Sequence, residues 1–259
     1  MKTSSKFKIN FIFLQLKPNF KMNSIEKIIC NFLLAMLFCF TLNAQLTDKE
    51  SNTYKTKVIQ NQEWMIENLK STKLNNGKKI ALAKNSDEWM SYCEKKLPCY
   101  CYYNFDEKYK NYGLVYNYFA AHHKDIVPKG WEMPTTDHWS DLVFNNGKFD
   151  EATAIKLKDK TTWMKRVEHY NQSGFSSRAY GHLKLCGNFT DNDYKNVSYW
   201  RIDTEDEEGG ANACSFSIND KTTGNTIAFS YSGNTAGSYI RFCKTLEEPE
   251  EDEEETDKD

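Results

Sequence analysis

The chain has 259 residues, which suits one compact domain with terminal extensions or two small domains at most. Residues 1–44 carry six lysines against one glutamate (+5), and residues 247–259 carry one lysine against ten carboxylates (−9). The body between them has 27 basic and 25 acidic residues (+2). A body so close to neutral excludes nucleic acid as a partner, because phosphate backbones are bound by net positive faces. Aromatic residues make up 14% of the chain, which suits a sheet core or an adhesive surface.

The N-terminal region has the pattern of a secretory signal peptide. Residues 28–42, IICNFLLAMLFCFTL, are uncharged, follow Lys21 and Lys27, and lead into a polar stretch. This order predicts export with cleavage after Ala44. A membrane anchor is the alternative, but this run is shorter than the roughly 20 residues that cross a bilayer as a helix. We therefore expect a secreted or cell-surface protein with no membrane span once the signal is removed.

The segment before this signal is unusually long. A start at Met22 would leave an ordinary signal peptide, so we expect residues 1–21 to be a spurious leader. Cys39 follows Met-Leu-Phe, which lacks the small residues of a lipobox, and we do not expect a lipid anchor there.

Loss of the signal leaves an even number of cysteines, which in an exported chain predicts disulfide bonds. Cys93 and Cys99 flank a short loop containing Pro98 and are candidates for a local bridge. A metal site at Cys99-x-Cys101 is the alternative, disfavoured because no second closely spaced pair supplies further ligands. Spacing alone does not choose among the 15 possible pairings. The six candidates are Cys93, Cys99, Cys101, Cys186, Cys214 and Cys243.

The predicted elements of the first half begin after a polar leader, residues 45–56. A strand and a turn are predicted from the apolar groups between residues 58 and 69, and a hairpin turn from Asn76-Gly77. Ser86 is the predicted N-cap of a short helix with acidic residues in its first turn. Aromatic CYCYYNF favours a strand. Residues 112–124, with apolar groups three and four apart, predict a helix.

Further along, Thr135 or Thr136 is predicted to cap a helix that ends near Gly147. Residues 151–158 predict a turn of helix or a strand, and short strands follow from residue 173. We expect an α+β fold with two or three short helices in the first half and a twisted, mostly antiparallel sheet with long loops. Residues 246–259 are predicted to be a disordered acidic tail.

Several blocks then resemble the Fibrobacter succinogenes major paralogous domain, a family of exported bacterial modules. Their number, order and spacing carry the resemblance, which covers residues 57–245. The blocks are VIQNQEWMIENLKSTKLNNGKKI (58–80), YCYYNFD (100–106), YGLVYNYFA (112–120), VPKGWEMPTTDHWSDL (127–142), SGFSSRAYGH (173–182), YWRIDTE (199–205) and SYIRFCK (238–244).

The resemblance implies a C-type-lectin-like fold, distantly similar to formylglycine-generating enzymes, and offers no established activity. The family usually carries cysteine where Val127 stands, so its last-strand cysteine, here Cys243, would need another partner, with Cys186 and Cys214 as candidates. Arg201 and Ile202 replace two small hydroxyl residues of the family, which changes the polarity of that surface.

Most of the matched residues are expected to be structural. Asn68 is expected to satisfy backbone groups in a loop. His122, His123 and His138 are candidates for a metal site, but adjacent histidines on a helix point in different directions. The Asp- and Asn-rich residues 190–196 are a candidate for calcium, but such clusters more often form turns, so we assign neither a metal nor a cofactor. The structural core candidates are Trp64, Asn68, Trp131, Trp139, Trp200 and Arg241.

These observations favour a binding or adhesion module without catalysis. Its partner would be an extracellular glycan or protein, met by loops within residues 183–200 and 219–237. One alternative is a cysteine-dependent, oxidase-like enzyme related to formylglycine-generating enzymes, which requires two reduced cysteines facing a cleft. The other is a structural envelope protein without a small ligand.

Overall fold

The computed structural model describes residues 46–163, 168–189, 196–202, 213–220 and 226–246. The strands are β1 (Leu46–Thr47), β2 (Thr53–Tyr54), β3 (Thr56–Ile59), β4 (Gln62–Met65), β5 (Ala81–Leu82), β6 (Cys99–Cys101), β7 (Val115–Asn117), β8 (Asn196–Arg201), β9 (Ala213–Asn219), β10 (Ile227–Ser232), β11 (Gly237–Ser238) and β12 (Cys243–Thr245). The α-helices are α1 (Ser86–Glu94), α2 (Tyr118–Ala121), α3 (Thr136–Phe144) and α4 (Glu151–Leu157). The predicted signal peptide and residues 247–259 of the predicted tail lie outside the described residues.

One small sheet joins the two ends of the domain. β3 and β4 form a tight antiparallel hairpin, with Gln60 in the left-handed region (φ 57°) at the turn. β12 pairs with the other edge of β4 and places Cys243 opposite Trp64. The closing segment of the domain therefore lies against its opening segment, so both must be present for this sheet to form.

A second sheet has the strand order β11-β7-β6-β5. β5 and β6 run parallel, so α1 makes the crossover between them, while β7 and β11 add antiparallel. Helix α1 begins at Ser86 because the Asn85 side chain accepts a hydrogen bond from the Glu88 amide at 2.9 Å. The N-cap is thus Asn85, one residue before the predicted Ser86.

The third sheet, β10-β9-β8, is antiparallel and packs on α3. Tyr199, Phe216 and Phe229 lie opposite one another on one face of the three strands. The Trp139 ring of α3 stacks on Phe216 with centroids 4.3 Å apart. Thr135 caps α3 in a capping box, which confirms the predicted start of this helix.

Two apolar clusters form the core. The first surrounds the contacts of Trp64 with Trp139 and Phe175, whose ring centroids lie 4.7 and 5.6 Å away. The second contains Tyr116 and Trp200, and the Trp200 indole N–H donates to the Tyr116 carbonyl at 2.8 Å. Large aromatic residues therefore build the interior, as their share of the composition allows.

The short helices and small, mostly antiparallel sheets confirm the predicted α+β class. Within the described residues no helix is long and apolar enough to cross a bilayer.

Two local predictions differ from the structure. Residues 112–124 do not form one helix, because residues 113–117 are buried without a break as a central strand requires, and helix α2 starts only at Tyr118. The predicted polar leader pairs as β1 and β2 and buries Leu46 and Tyr54.

Candidate functional site

The predicted core residues differ in their burial. Trp64, Trp139 and Trp200 are fully buried. Trp131 departs from the prediction, because it is only partly buried and packs against the edge of the second cluster. It directly follows a turn that ends at the exposed Gly130 (φ 80°), a position that leaves Trp131 half-buried.

Arg241 and Asn68 meet in the interior and form a clasp between distant loops. Arg241 is 1% exposed and donates from Nε to the Asn68 Oδ1 at 2.9 Å. Its Nη1 and Nη2 donate to the carbonyls of Phe175 and Ser176 at 2.6 and 3.0 Å. Burial lowers the pKa of this guanidinium. Asn68 also donates to the Tyr112 carbonyl at 2.9 Å, so it satisfies a loop backbone as expected from its sequence context.

Five of the six candidate cysteines are described as free thiols, and all five are buried. Cys93 lies in the last turn of α1 and Cys99 begins β6, and both belong to the first cluster. No disulfide is present among the described cysteines. The pairing expectations therefore remain predictions, and the side chain of Cys186 lies outside the described part of the chain. The described cysteines are Cys93, Cys99, Cys101, Cys214 and Cys243.

An open cleft of about 510 Å³ lies beside the second sheet, and we call it the cationic cleft. One wall is the loop that follows α1, which contributes Lys96. The other wall is α2 and the residues after it, which contribute Tyr118 and Lys124. The lining residues are Lys96, Pro98, Tyr118, Phe119, His122, His123 and Lys124.

A single buried side chain, Asn117, connects the two walls. Its Oδ1 accepts from the Ala120 amide at 2.9 Å and caps α2, and it also accepts from the Cys99 amide at 3.0 Å. Its Nδ2 donates to the Leu97 carbonyl at 2.9 Å, inside the loop of the first wall. Both walls are therefore held to the same asparagine, which is fully buried.

The charge of the cleft is positive. Lys96 and Lys124 are exposed, and neither forms an ion pair with another described residue. The Asp125 carboxylate lies beside one of the imidazoles: its Oδ2 is 3.8 Å from His123 Nδ1 and also accepts from the Asn76 amide group at 2.7 Å. Exposed cations in a concave site attract anions, because the cavity walls focus their field.

Aromatic rings give this cleft flat apolar surfaces. The His122 ring stacks on Tyr118 at a centroid distance of 4.1 Å, and His122 Nδ1 lies 3.1 Å from the Tyr118 carbonyl. Phe119 packs edge-on against Tyr118 at 5.4 Å. The rings are thus held in fixed orientations by contacts with one another.

A second exposed region, which we call the aromatic edge, lies at the edge strand β10. Phe144 and Phe149 are 60% and 40% exposed, and their rings are 5.4 Å apart. Tyr231 is 75% exposed, and the Phe149 ring centroid lies 5.5 Å from that of Phe229.

Arg201 was expected to change the polarity of a surface. It is buried instead, and its guanidinium lies 5.0 Å from the Phe229 ring centroid.

The predicted recognition loops coincide only partly with these regions. Residues 183–200 and 219–237 include β8 and β10, so much of each segment is sheet, while residues 190–195 and 221–225 lie outside the described residues. The calcium candidate, residues 190–196, falls mostly in the same gap.

The histidines weighed for a metal site lie apart. His122 and His123 line the cationic cleft, whereas His138 belongs to the capping box of α3 and lies 3.2 Å from the Thr245 hydroxyl. In the described ranges no group of three or more His, Cys, Asp or Glu could hold a metal ion.

Sequence reasoning missed Lys96, Lys124 and Phe119. For Phe119 and Lys124 the available signal was the concentration of basic and aromatic residues in YFAAHHK, residues 118–124.

Comparison with known proteins identifies the family. The model of the Fibrobacter succinogenes major domain matches residues 58–244. No curated protein and no solved structure matches the chain, so the C-type-lectin-like refinement of the fold stays a prediction. The matched range includes both walls of the cationic cleft and the Arg241 clasp, and it covers well over half of the sequence. The chain belongs to the Fibrobacter succinogenes major domain family.

Proposed function

We propose that this chain is an exported, non-catalytic binding module that recognises an acidic glycan through the cationic cleft. One observation carries the proposal. The seven residues that line the cleft combine two lysines, two histidines and two aromatic rings, and none of the seven is a carboxylate.

The chemistry of these groups suits an acidic saccharide better than a neutral one. A volume of about 510 Å³ lies in the usual range of small-ligand sites, so the cleft can hold a short segment of a glycan. Ring faces such as that of Tyr118 can pack on the apolar face of a sugar. The ammonium groups of Lys96 and Lys124 would then meet its carboxylates, which supplies attraction that a neutral sugar lacks.

Export and scaffold support the same proposal. The predicted signal peptide would bring the protein to extracellular polysaccharides. A C-type-lectin-like scaffold would present surface segments, and recognition residues are commonly carried by loops on a rigid framework. Lys96 and Lys124 both lie outside helices and strands, at the ends of the segments that Asn117 ties down.

Titration calorimetry with oligogalacturonates tests the proposal, with cello-oligosaccharides of equal length as the neutral comparison. We expect binding to the acidic oligomers alone, and weaker binding at higher salt because exposed charges are screened. Equal binding of both oligomers would contradict recognition by charge. Binding of an acidic protein without any binding of acidic glycans would contradict the choice of ligand.

The two alternatives predict other outcomes. An oxidase-like enzyme requires two accessible reduced thiols, whereas the described thiols are buried, so we expect little reaction of the native protein with a thiol reagent. Rapid labelling of two cysteines in the folded protein would favour the enzyme. A structural envelope protein would bind no saccharide across a broad glycan array.

A further inference from the structure

The acidic segment, residues 247–259, differs from the rest of the chain in its charge. It carries ten carboxylates against one lysine (−9), whereas the body of residues 45–246 has a net charge of +2. A body so close to neutral exerts little overall attraction on this segment, and attraction between exposed charges fades beyond about 10 Å in salt. A stable contact with the body therefore needs a local excess of positive charge.

The cationic cleft provides such an excess. Lys96 and Lys124 lie on opposite walls, both are exposed, and neither forms an ion pair with another described residue. None of the seven lining residues is a carboxylate, so an acidic segment in the cleft meets no lining residue of its own sign. The nearby Asp125 carboxylate already accepts from the Asn76 amide group at 2.7 Å. The cleft thus complements the acidic segment in charge.

The acidic segment starts from a fixed point. The Leu246 amide donates to the Asn61 carbonyl at 2.7 Å, which holds the last described residue on the turn between β3 and β4. Three residues earlier, Cys243 exchanges two backbone hydrogen bonds with Glu132, at 2.8 and 3.0 Å. Residues paired in this way have Cα atoms about 5.5 Å apart and a strand advances about 3.3 Å per residue, so Leu246 lies within about 15 Å of Glu132.

Glu132 is in turn close to the second wall of the cleft along the chain. Between His123 and Glu132 the backbone forms two turns, closed by hydrogen bonds from the Ile126 amide to the His123 carbonyl at 2.9 Å and from the Trp131 amide to the Pro128 carbonyl at 3.1 Å. Each turn holds its two ends within about 7 Å of each other. The distance from His123 to Glu132 is therefore at most about 25 Å, even with the remaining residues fully extended.

The acidic segment is long enough to cover both steps. Its thirteen residues extend to about 43 Å, which exceeds the two distances laid end to end. Repulsion among the carboxylates favours extended conformations of such a segment. It can therefore reach the cleft of its own chain without any rearrangement of the domain.

The composition of the segment also fits the cleft. The run EEPE, residues 247–250, places Pro249 between carboxylates. Proline rings dock on aromatic surfaces where Pro-rich segments are recognised, and Tyr118 and Phe119 line the cleft. Carboxylates beside an apolar ring are also what the proposed acidic glycan would present to these residues.

We propose that residues 247–259 occupy the cationic cleft of their own chain. The contact is inferred from charge, reach and composition, independently of any external ligand. Competition with an acidic glycan for the same lysines rests on the proposed function. A segment tethered to its site acts at an effective concentration on the order of millimolar, so even weak pairing fills the cleft for a large fraction of the time.

Amide NMR spectra of the isotope-labelled protein test the contact itself. The comparison is a neutral variant in which every Asp and Glu of residues 247–259 is replaced by Asn or Gln, so the length stays the same. We expect shift differences at Lys96, His123 and Lys124, none at Tyr231 in the aromatic edge, and loss of the differences at high salt. Spectra that coincide in the cleft would overturn the inference. Differences that vanish on dilution would also overturn it, because they would place the segment in the cleft of a second copy.

Binding measurements test the competition. Oligogalacturonate affinity is measured for the native chain and the neutral variant, each also with Lys96→Ala/Lys124→Ala. We expect neutralisation to tighten binding about fivefold in the native background, because the cleft is vacated, and to have no effect once both lysines are removed. An equal gain in both backgrounds would show a general effect of net charge and would contradict the competition.

The two measurements together separate this inference from the proposed function. Shift differences in the cleft with no oligogalacturonate binding by any form contradict the proposed function alone. Oligogalacturonate binding without shift differences contradicts the inference alone. Shift differences with equal affinities contradict the competition between the segment and the glycan.

Discussion

The Arg241 clasp and the cationic cleft use positive charge in opposite ways. Each nitrogen of the Arg241 guanidinium donates to an oxygen of Asn68, Phe175 or Ser176, and the group is almost completely withdrawn from water. The cleft lysines are exposed and form no ion pair with another described residue. A buried cation is stable only when its donors are satisfied, whereas an exposed one can exchange water for a ligand at small cost. The clasp therefore serves folding, whereas the charge of the cleft stays exposed to solvent, as the proposed binding of an acidic ligand requires.

Removal of the clasp has the largest expected effect. Arg241→Ala leaves three buried acceptors without donors and opens a space beside Phe175, so we expect the free energy of unfolding to fall by about 3 kcal/mol or more in urea denaturation. Arg178→Ala is the matched control, because Arg178 is only partly buried. An equal loss in both variants would show that the clasp is no more important than a surface arginine.

The next effect concerns the residue that joins the two walls of the cleft. Asn117→Ala removes the cap of α2 and the support of the Cys93–Cys99 loop, and we expect a loss of about 2 kcal/mol in the same measurement. Asn146→Ala is the control, since Asn146 is half-buried and its side-chain amide donates to the Leu142 carbonyl at 2.8 Å. A loss at Asn117 no larger than at Asn146 would contradict its role as a junction.

The cleft lysines should affect ligand binding and leave stability unchanged. We expect Lys96→Ala/Lys124→Ala to weaken oligogalacturonate binding about tenfold, because two exposed charge contacts are lost, with no change in unfolding. Lys78→Ala/Lys160→Ala removes the same charge from exposed positions outside the cleft and is the matched control. If both double variants bind equally weakly, net charge and not the cleft determines affinity.

The smallest effect is expected at the aromatic edge. Tyr231 is 75% exposed, so Tyr231→Ser should change the free energy of unfolding by no more than about 0.5 kcal/mol and should leave oligogalacturonate affinity unchanged. Denaturation and calorimetry on the same preparation check both expectations. A loss of affinity would place part of the ligand site at this edge and would weaken the distinction drawn for the cleft.

Much of the fold was predictable because local signals agreed with the tertiary structure. A helix cap at Thr135 or Thr136 was predicted before a Trp-bearing segment, and the structure places it at Thr135. The α+β class was predicted from the change of pattern near residue 173. Residues 112–124 were not predictable in this way. The spacing of Leu114, Tyr118 and Ala121 suits a helix, but burial on both sides turns the first part into β7. Pairing with the neighbouring strands β6 and β11, and not the local periodicity, therefore decided the structure of residues 115–117.

The sequence did not predict the cationic cleft, because its two walls come together only in the folded chain. Lys96 and Lys124 are far apart in the chain and lie in ordinary basic surroundings, so neither stood out. His122 and His123 were considered for metal binding, and only the packing of α2 beside the loop after α1 shows that they share a cleft with two lysines.

The sequence alone determined the family, the α+β class, the aromatic character of the core and the pattern of an export signal, because these depend on composition and on residues close in the chain. The tertiary structure alone decided which charges are buried, that Asn117 joins the loop after α1 to α2, and that two distant basic segments form one cleft. Burial and proximity between distant segments depend on how strands and helices pack together, and that packing cannot be read from local order.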